Sequence, residues 1–134
     1  MYGLQDKVVL ITGGGQGIGY GISRAFASEG SKLAITGRTL EKLERAKKTL
    51  EAEFGAQVLC ITADGGKEDE VKNAIQQTVS YYGRLNVLIN NAQNSASGVS
   101  LVDHTQEDFD KAIYSGLYAT FFYMKHAFPH LKES

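Results

Sequence analysis

The chain has 134 residues, a formal net charge of −1, and is 43% hydrophobic and 22% charged, which suits a single globular domain over 1–134 with a buried core. The near-neutral balance argues against nucleic acid or an anionic membrane as partner. Neither a signal peptide nor an apolar run near the ~20 residues of a membrane span is present, so the expected compartment is the cytoplasm. The lone cysteine, Cys60, lies in Val58-Leu59-Cys60-Ile61 and is expected to be a buried, reduced, inert thiol.

Val8-Val9-Leu10-Ile11 is apolar without polar alternation, the pattern of a strand covered on both faces. It breaks into Thr12-Gly13-Gly14-Gly15-Gln16-Gly17-Ile18-Gly19, after which Ile22, Ala25 and Phe26 recur at helical spacing. Glycines between a strand and a helix form an anion site: first-turn N–H groups and the positive dipole end point into the turn, and no Cβ keeps a pyrophosphate away. Gly13, Gly17 and Gly19 read G-x-x-x-G-x-G, so no frame matches the dinucleotide fingerprint G-x-G-x-x-G. No Lys-Ser or Lys-Thr follows Gly19, which excludes a P-loop.

Glu29-Gly30 closes that helix, and Lys32 to Thr36 reads as a second strand. Thr39 is the expected cap of a helix whose apolar face is Leu43, Ala46, Leu50 and Phe54, closed by Gly55; the alternating charges around Leu43 mark its exposed side. Val58 to Thr62 is a third strand. Asp64-Gly65-Gly66 leads to a helix carrying Val71, Ala74, Ile75 and Val79 and closed at Gly83, and Leu85 to Ile89 is a fourth strand. Strands separated by helices predict an α/β fold, a doubly wound parallel sheet of Rossmann type with helices on both faces.

Strand two ends in Thr36-Gly37-Arg38-Thr39, with no carboxylate at its tip. In dinucleotide folds an acid about 20 residues past the glycines holds the ribose 2′-hydroxyl, whereas an arginine accommodates a 2′-phosphate. Arg38 can grip that phosphate in a bidentate, charge-assisted way, so NADP(H) is expected in preference to NAD(H); the plainer alternative is an exposed loop cation.

Thr12-Gly-x-x-x-Gly17-Ile18-Gly19 resembles the cofactor turn of the short-chain dehydrogenase/reductase family, and Asn90-Asn91-Ala92-Gln93 resembles its Asn-Asn-Ala-Gly. The resemblance covers the whole chain but only the N-terminal, cofactor-binding half of that fold. It implies that Asp64 and its neighbours read the adenine edge, although Asp64 could equally cap the next helix. It also implies that the Asn90-Asn91-Ala92 turn packs against the cofactor, with Gln93 departing where the family has glycine. These readings give a candidate cofactor set of Gly13, Gly15, Gln16, Gly17, Ile18, Gly19, Arg38, Asp64, Gly65, Asn90, Asn91 and Ala92. No catalytic or metal-binding residue is put forward.

After a polar loop from Asn94 to His104, Thr105-Gln106-Glu107-Asp108 reads as a capping box opening the longest helix. Its apolar positions are Phe109, Ala112, Ile113, Leu117, Phe121, Met124 and Phe128, more apolar surface than one sheet face needs, so part of it awaits a partner. In the family the matching helix lies at a subunit interface, which implies a homo-oligomer through 106–132. The family's Asn-Leu-x-Gly-Thr-Phe pattern, aligned on Leu117 and Thr120-Phe121, puts Gly116 where the relay asparagine belongs; Ser115 is adjacent but about 100° round the helix.

The resemblance implies hydride transfer between nicotinamide and a small ketone or alcohol, with a tyrosine handling the proton and a lysine lowering its pKa. No tyrosine here has lysine four residues on; Tyr20 to Arg24 comes nearest. Two explanations are carried: a piece of a longer reductase, or a chain ending at Ser134 that binds nucleotide or a partner without turnover. A methyltransferase on a similar sheet is disfavoured by Arg38 and Asn90-Asn91-Ala92. His126 and His130 have metal-ligand spacing, but Ala127 replaces the glutamate of H-E-x-x-H and Pro129 disturbs the turn, so a solvated helix end is expected.

Overall fold

Four parallel strands, β1 (Val8–Thr12), β2 (Lys32–Gly37), β3 (Val58–Thr62) and β4 (Val87–Ile89), form a sheet in the order β3-β2-β1-β4. The computed structural model describes residues 2–92 and 98–134; Gln93 and the loop's first residues, 94–97, lie outside them. Helices α1 (Gly17–Ser28), α2 (Leu40–Phe54) and α3 (Glu68–Tyr82) connect the strands, and α4 (Gln106–Ala112) and α5 (Ala119–Glu133) follow a short 3₁₀ turn at Leu101–Asp103. This is the Rossmann-type architecture expected from the alternating pattern.

The strand order follows from which residues can be buried twice. Along β1, Val8 and Leu10 join a core with Ala34, Val71, Ile75 and Tyr123, while Val9 and Ile11 join the opposite one with Leu33, Ile35, Leu43 and Leu50. All four of these apolar β1 side chains are fully buried, the signature of a central parallel strand. Pairing Val9 with Leu33 and with Val87 puts the strand between β2 and β4, so the C-terminal ends of all four strands point the same way. β4 is shorter than the expected Leu85–Ile89 because Asn86 replaces a ladder contact with its side chain: Val8 N donates to Asn86 Oδ1 at 2.8 Å.

Other local expectations need correction. Thr39 occupies the N-cap of α2 but its side chain makes no capping bond, and Lys67, not Asp64, is the N-cap of α3. In α1 the inward positions are Ser23 and Ala27; Ile22 and Phe26 pack from the side and Ala25 is exposed. Thr105 does form the capping box: its Oγ1 accepts from Asp108 N and its own N–H donates to Asp108 Oδ2, both at 3.1 Å.

The expected longest helix is interrupted. Between α4 and α5 a six-residue π segment, Ile113–Tyr118, widens the turn, and Pro129 sits inside α5 without ending it. The face toward the sheet is Ala119, Tyr123 and Ala127, whereas Phe109, Leu117, Phe121, Met124 and Phe128 are all more than half exposed. His126 is no solvated end either: its Nε2 lies 2.8 Å from Glu68 Oε2, to which Lys125 Nζ also donates at 2.8 Å, tying α5 to α3.

Candidate functional site

The C-terminal strand ends open into one groove of 540 Å³. Its central wall is built by Thr12, whose hydroxyl oxygen accepts from the amides of Asn91 and Ala92, each at 2.9 Å, while the hydroxyl donates to Ile89 O at 3.4 Å. One threonine thereby fixes the turn after β4 against the turn after β1. Asn91 Nδ2 adds a bond to Gly13 O at 3.4 Å. Gly19 is buried behind this junction, where a Cβ would run into the Gly13 carbonyl and Asn91 Nδ2, so no larger residue lets α1 come so close.

The start of α1 is chemically unfinished. Gln16 is its N-cap without a side-chain capping bond, and its first turn holds no acid, whereas α2, α3 and α4 each carry acids there. Gln16 and Gly17 line the groove, so the uncapped, dipole-positive end borders the space. Ser23 Oγ lies 3.0 Å from both the Gly14 and Gly19 carbonyls and donates between them, holding the turn in place. A cradle with no Cβ at Gly13 or Gly17 and no competing anion fits a diphosphate.

The β2–β3 end carries the charge. Arg38 is exposed, lines the groove and has no carboxylate partner among the described residues. Asp64 uses one carboxylate oxygen to accept from Gly66 N at 2.9 Å, and its own N–H donates to Glu70 Oε1 at 2.9 Å, so the loop after β3 is rigidly folded. Gly65 makes the helix approach possible: a Cβ there would lie 2.6 Å from Ala119 Cβ. Behind it stands Tyr123, 1% exposed, whose hydroxyl lies 3.5 Å from Thr36 Oγ1; burial first, then the charges of Glu70 and Asp64, push the phenol above its ordinary pKa against the opposing Thr36 bond.

Of the residues singled out from sequence, Gly13, Gln16, Gly17, Arg38, Asp64, Gly65, Asn91 and Ala92 line this groove together. Gly15 instead borders a neighbouring 330 Å³ depression with Lys42 and Arg45, Ile18 is 80% exposed, Gly19 acts from behind, and Asn90 is exposed and not part of the lining. The sequence set omitted Thr12, Thr36, Gly37, Ala63, Ser115 and Tyr123, which also line the groove. Thr12 stood in the quoted motif and was readable; Ser115 reaches the groove through the π segment, which regular helical spacing does not reveal.

Comparison with known proteins agrees with this geometry. The family model described as short chain dehydrogenase matches residues 7–134. The chain belongs to the short-chain dehydrogenase family. A 12alpha-hydroxysteroid dehydrogenase from a Clostridium species is 51% identical over 134 residues, covering 96% of this chain and 52% of that protein. Among solved structures, levodione reductase superposes with a TM-score of 0.90 at 31% identity, covering 96% of this chain and 50% of that one. An alcohol dehydrogenase from Thermococcus sibiricus, complexed with 5-hydroxy-NADP, superposes at 0.88 with 29% identity over 95% of this chain and 54% of that one. The chain thus spans about half the length of the curated relatives it matches.

Proposed function

We propose that this chain is the cofactor-binding half of an NADP(H)-dependent short-chain dehydrogenase. The observation that carries the reading is Arg38, without a carboxylate partner among the described residues, at the β2 end of a groove whose other wall is an uncapped helix start. Gln16, Gly17 and the first turn of α1 hold the diphosphate, Arg38 the 2′-phosphate, Asp64 and Gly65 the adenine, and Asn91 and Ala92 the nicotinamide end. The complex of the Thermococcus alcohol dehydrogenase with 5-hydroxy-NADP supports the phosphorylated cofactor.

When bound, the nicotinamide supplies or accepts the hydride. This chain's part is to orient that ring: Thr12 locks Asn91 and Ala92 in place, and the glycine turn offers its amides to the diphosphate. The whole protein interconverts a secondary alcohol and a ketone, a hydroxysteroid being the first substrate to test given the 51% identical relative. Among these 134 residues we assign no proton donor, and we place the protein in the cytoplasm. The exposed face of Leu117, Phe121, Met124 and Phe128 is the contact with a second copy. Titration with NADPH, followed by cofactor fluorescence, is expected to saturate; no binding overturns the reading.

A second reading, a nucleotide-binding module without turnover, is favoured by Gly116 standing where the family pattern places the relay asparagine. NADPH binding with no oxidation by a carbonyl panel, in a protein of intact mass 14.6 kDa, selects it; oxidation eliminates it.

A further inference from the structure

We propose that Tyr123 reads the adenosine part of the bound dinucleotide through its hydroxyl, acting with Thr36 as a polar floor for that end of the groove. The inference rests on the reading of the groove as a dinucleotide site and adds a residue from α5 to it. Tyr123 is the largest fully buried side chain of the described core, yet it lines the groove. Its place is fixed at the β2–β3 end: a Cβ on Gly65 would lie 3.9 Å from its Cε2, and its hydroxyl meets Thr36, which also lines the groove.

The hydroxyl's protein contact is a poor one. An O–H···O bond is normally 2.7–2.8 Å, so 3.5 Å to Thr36 Oγ1 is at the outer limit. A buried phenol ordinarily finds a full partner, because desolvating it without one is costly. The two hydroxyls hold each other in one long hydrogen bond, which leaves each with capacity for a further, shorter bond to a polar atom arriving in the groove. Burial keeps the phenol protonated, so it remains able to donate as well as accept. A polar group of the adenosine moiety, arriving between Arg38 and Asp64, completes the pair. A phenylalanine would fill the same core volume, so packing alone does not require the oxygen.

The test compares Tyr123→Phe with wild type by calorimetric titration, using NADPH, 2′,5′-ADP and reduced nicotinamide mononucleotide as probes. The variant is expected to bind NADPH and 2′,5′-ADP roughly two- to tenfold more weakly, the loss of one net hydrogen bond, with mononucleotide affinity unchanged. In wild type, the Tyr123 Cζ resonance is expected to shift on adding 2′,5′-ADP and not on adding the mononucleotide, a readout that does not depend on the variant folding. Unchanged 2′,5′-ADP affinity, equal loss for both halves of the cofactor, or a silent Cζ resonance overturns the proposal while leaving the groove's function intact. Wild-type protein that binds none of the probes overturns both.

Discussion

The turn after β1 and the seat of α5 face the same demand, two backbones brought into contact, and meet it differently. At the turn the side chain is deleted on one side, with Gly19 lying against the Gly13 carbonyl and Asn91. At the helix the deletion is shared, Gly65 on the β3 loop facing Ala119 on α5. The first solution clusters glycines in a recognisable run. The second is spread over residues 54 positions apart, each ordinary by itself, and it turns the helix so that Ala119, Tyr123 and Ala127 point inward and Phe121, Met124 and Phe128 outward. A conspicuous apolar stripe is therefore no guide to the buried face where close approach, rather than bulk, sets the packing.

The sharpest way to break the turn is Gly19→Ala. Its methyl would meet backbone, which cannot step aside, so a loss of about 3 kcal/mol or more and of NADPH binding is expected by denaturant melts and fluorescence titration. Gly65→Ala presses on Ala119 Cβ at 2.6 Å and is expected to cost about 1–3 kcal/mol. Adding Ala119→Gly leaves the new methyl 3.6 Å from the Ala119 Cα, an ordinary contact, so the double variant recovers part of the loss; simple additivity would contradict the shared-deletion account. Phe121→Ser, 55% exposed, is expected to change monomer stability by no more than about 0.5 kcal/mol.

The gentlest probe is pH. The Glu68 carboxyl is held below its ordinary 4.5 by hydrogen bonds from Lys125 and then His126. A lowered folded pKa gives stability that is present above pH 4.5 and lost as the pH falls from there through the folded value. Melting temperatures of wild type and Glu68→Gln are therefore expected to converge below pH 4.5; a constant gap would remove Glu68 from the tie between α3 and α5.

The sheet and three of its helices were legible because their residues obey local rules: doubly buried apolar strands, Gly55 and Gly83 in left-handed caps, the reciprocal bonds of Thr105 and Asp108. The groove was legible in part at the strand ends, as at Gly13, Arg38 and Asp64, although Thr12, Thr36, Gly37 and Ala63 beside them were passed over. It was not legible at Ser115 and Tyr123, since their orientation depends on the π segment and on Gly65 and Gly66, contacts that join distant parts of the chain. Spacing along one helix carries no trace of them. His126 was misjudged for the same reason: its partner Glu68 lies on another helix.

The central claim is that Arg38 selects the phosphorylated cofactor, and dissociation constants of wild type and Arg38→Ala for NADPH and NADH test it most directly. Losing a bidentate, charge-assisted contact is expected to weaken NADPH binding roughly 10- to 100-fold and leave NADH within about twofold. Equal affinities for the two cofactors in wild type, or an equal loss of both in the variant, would contradict it.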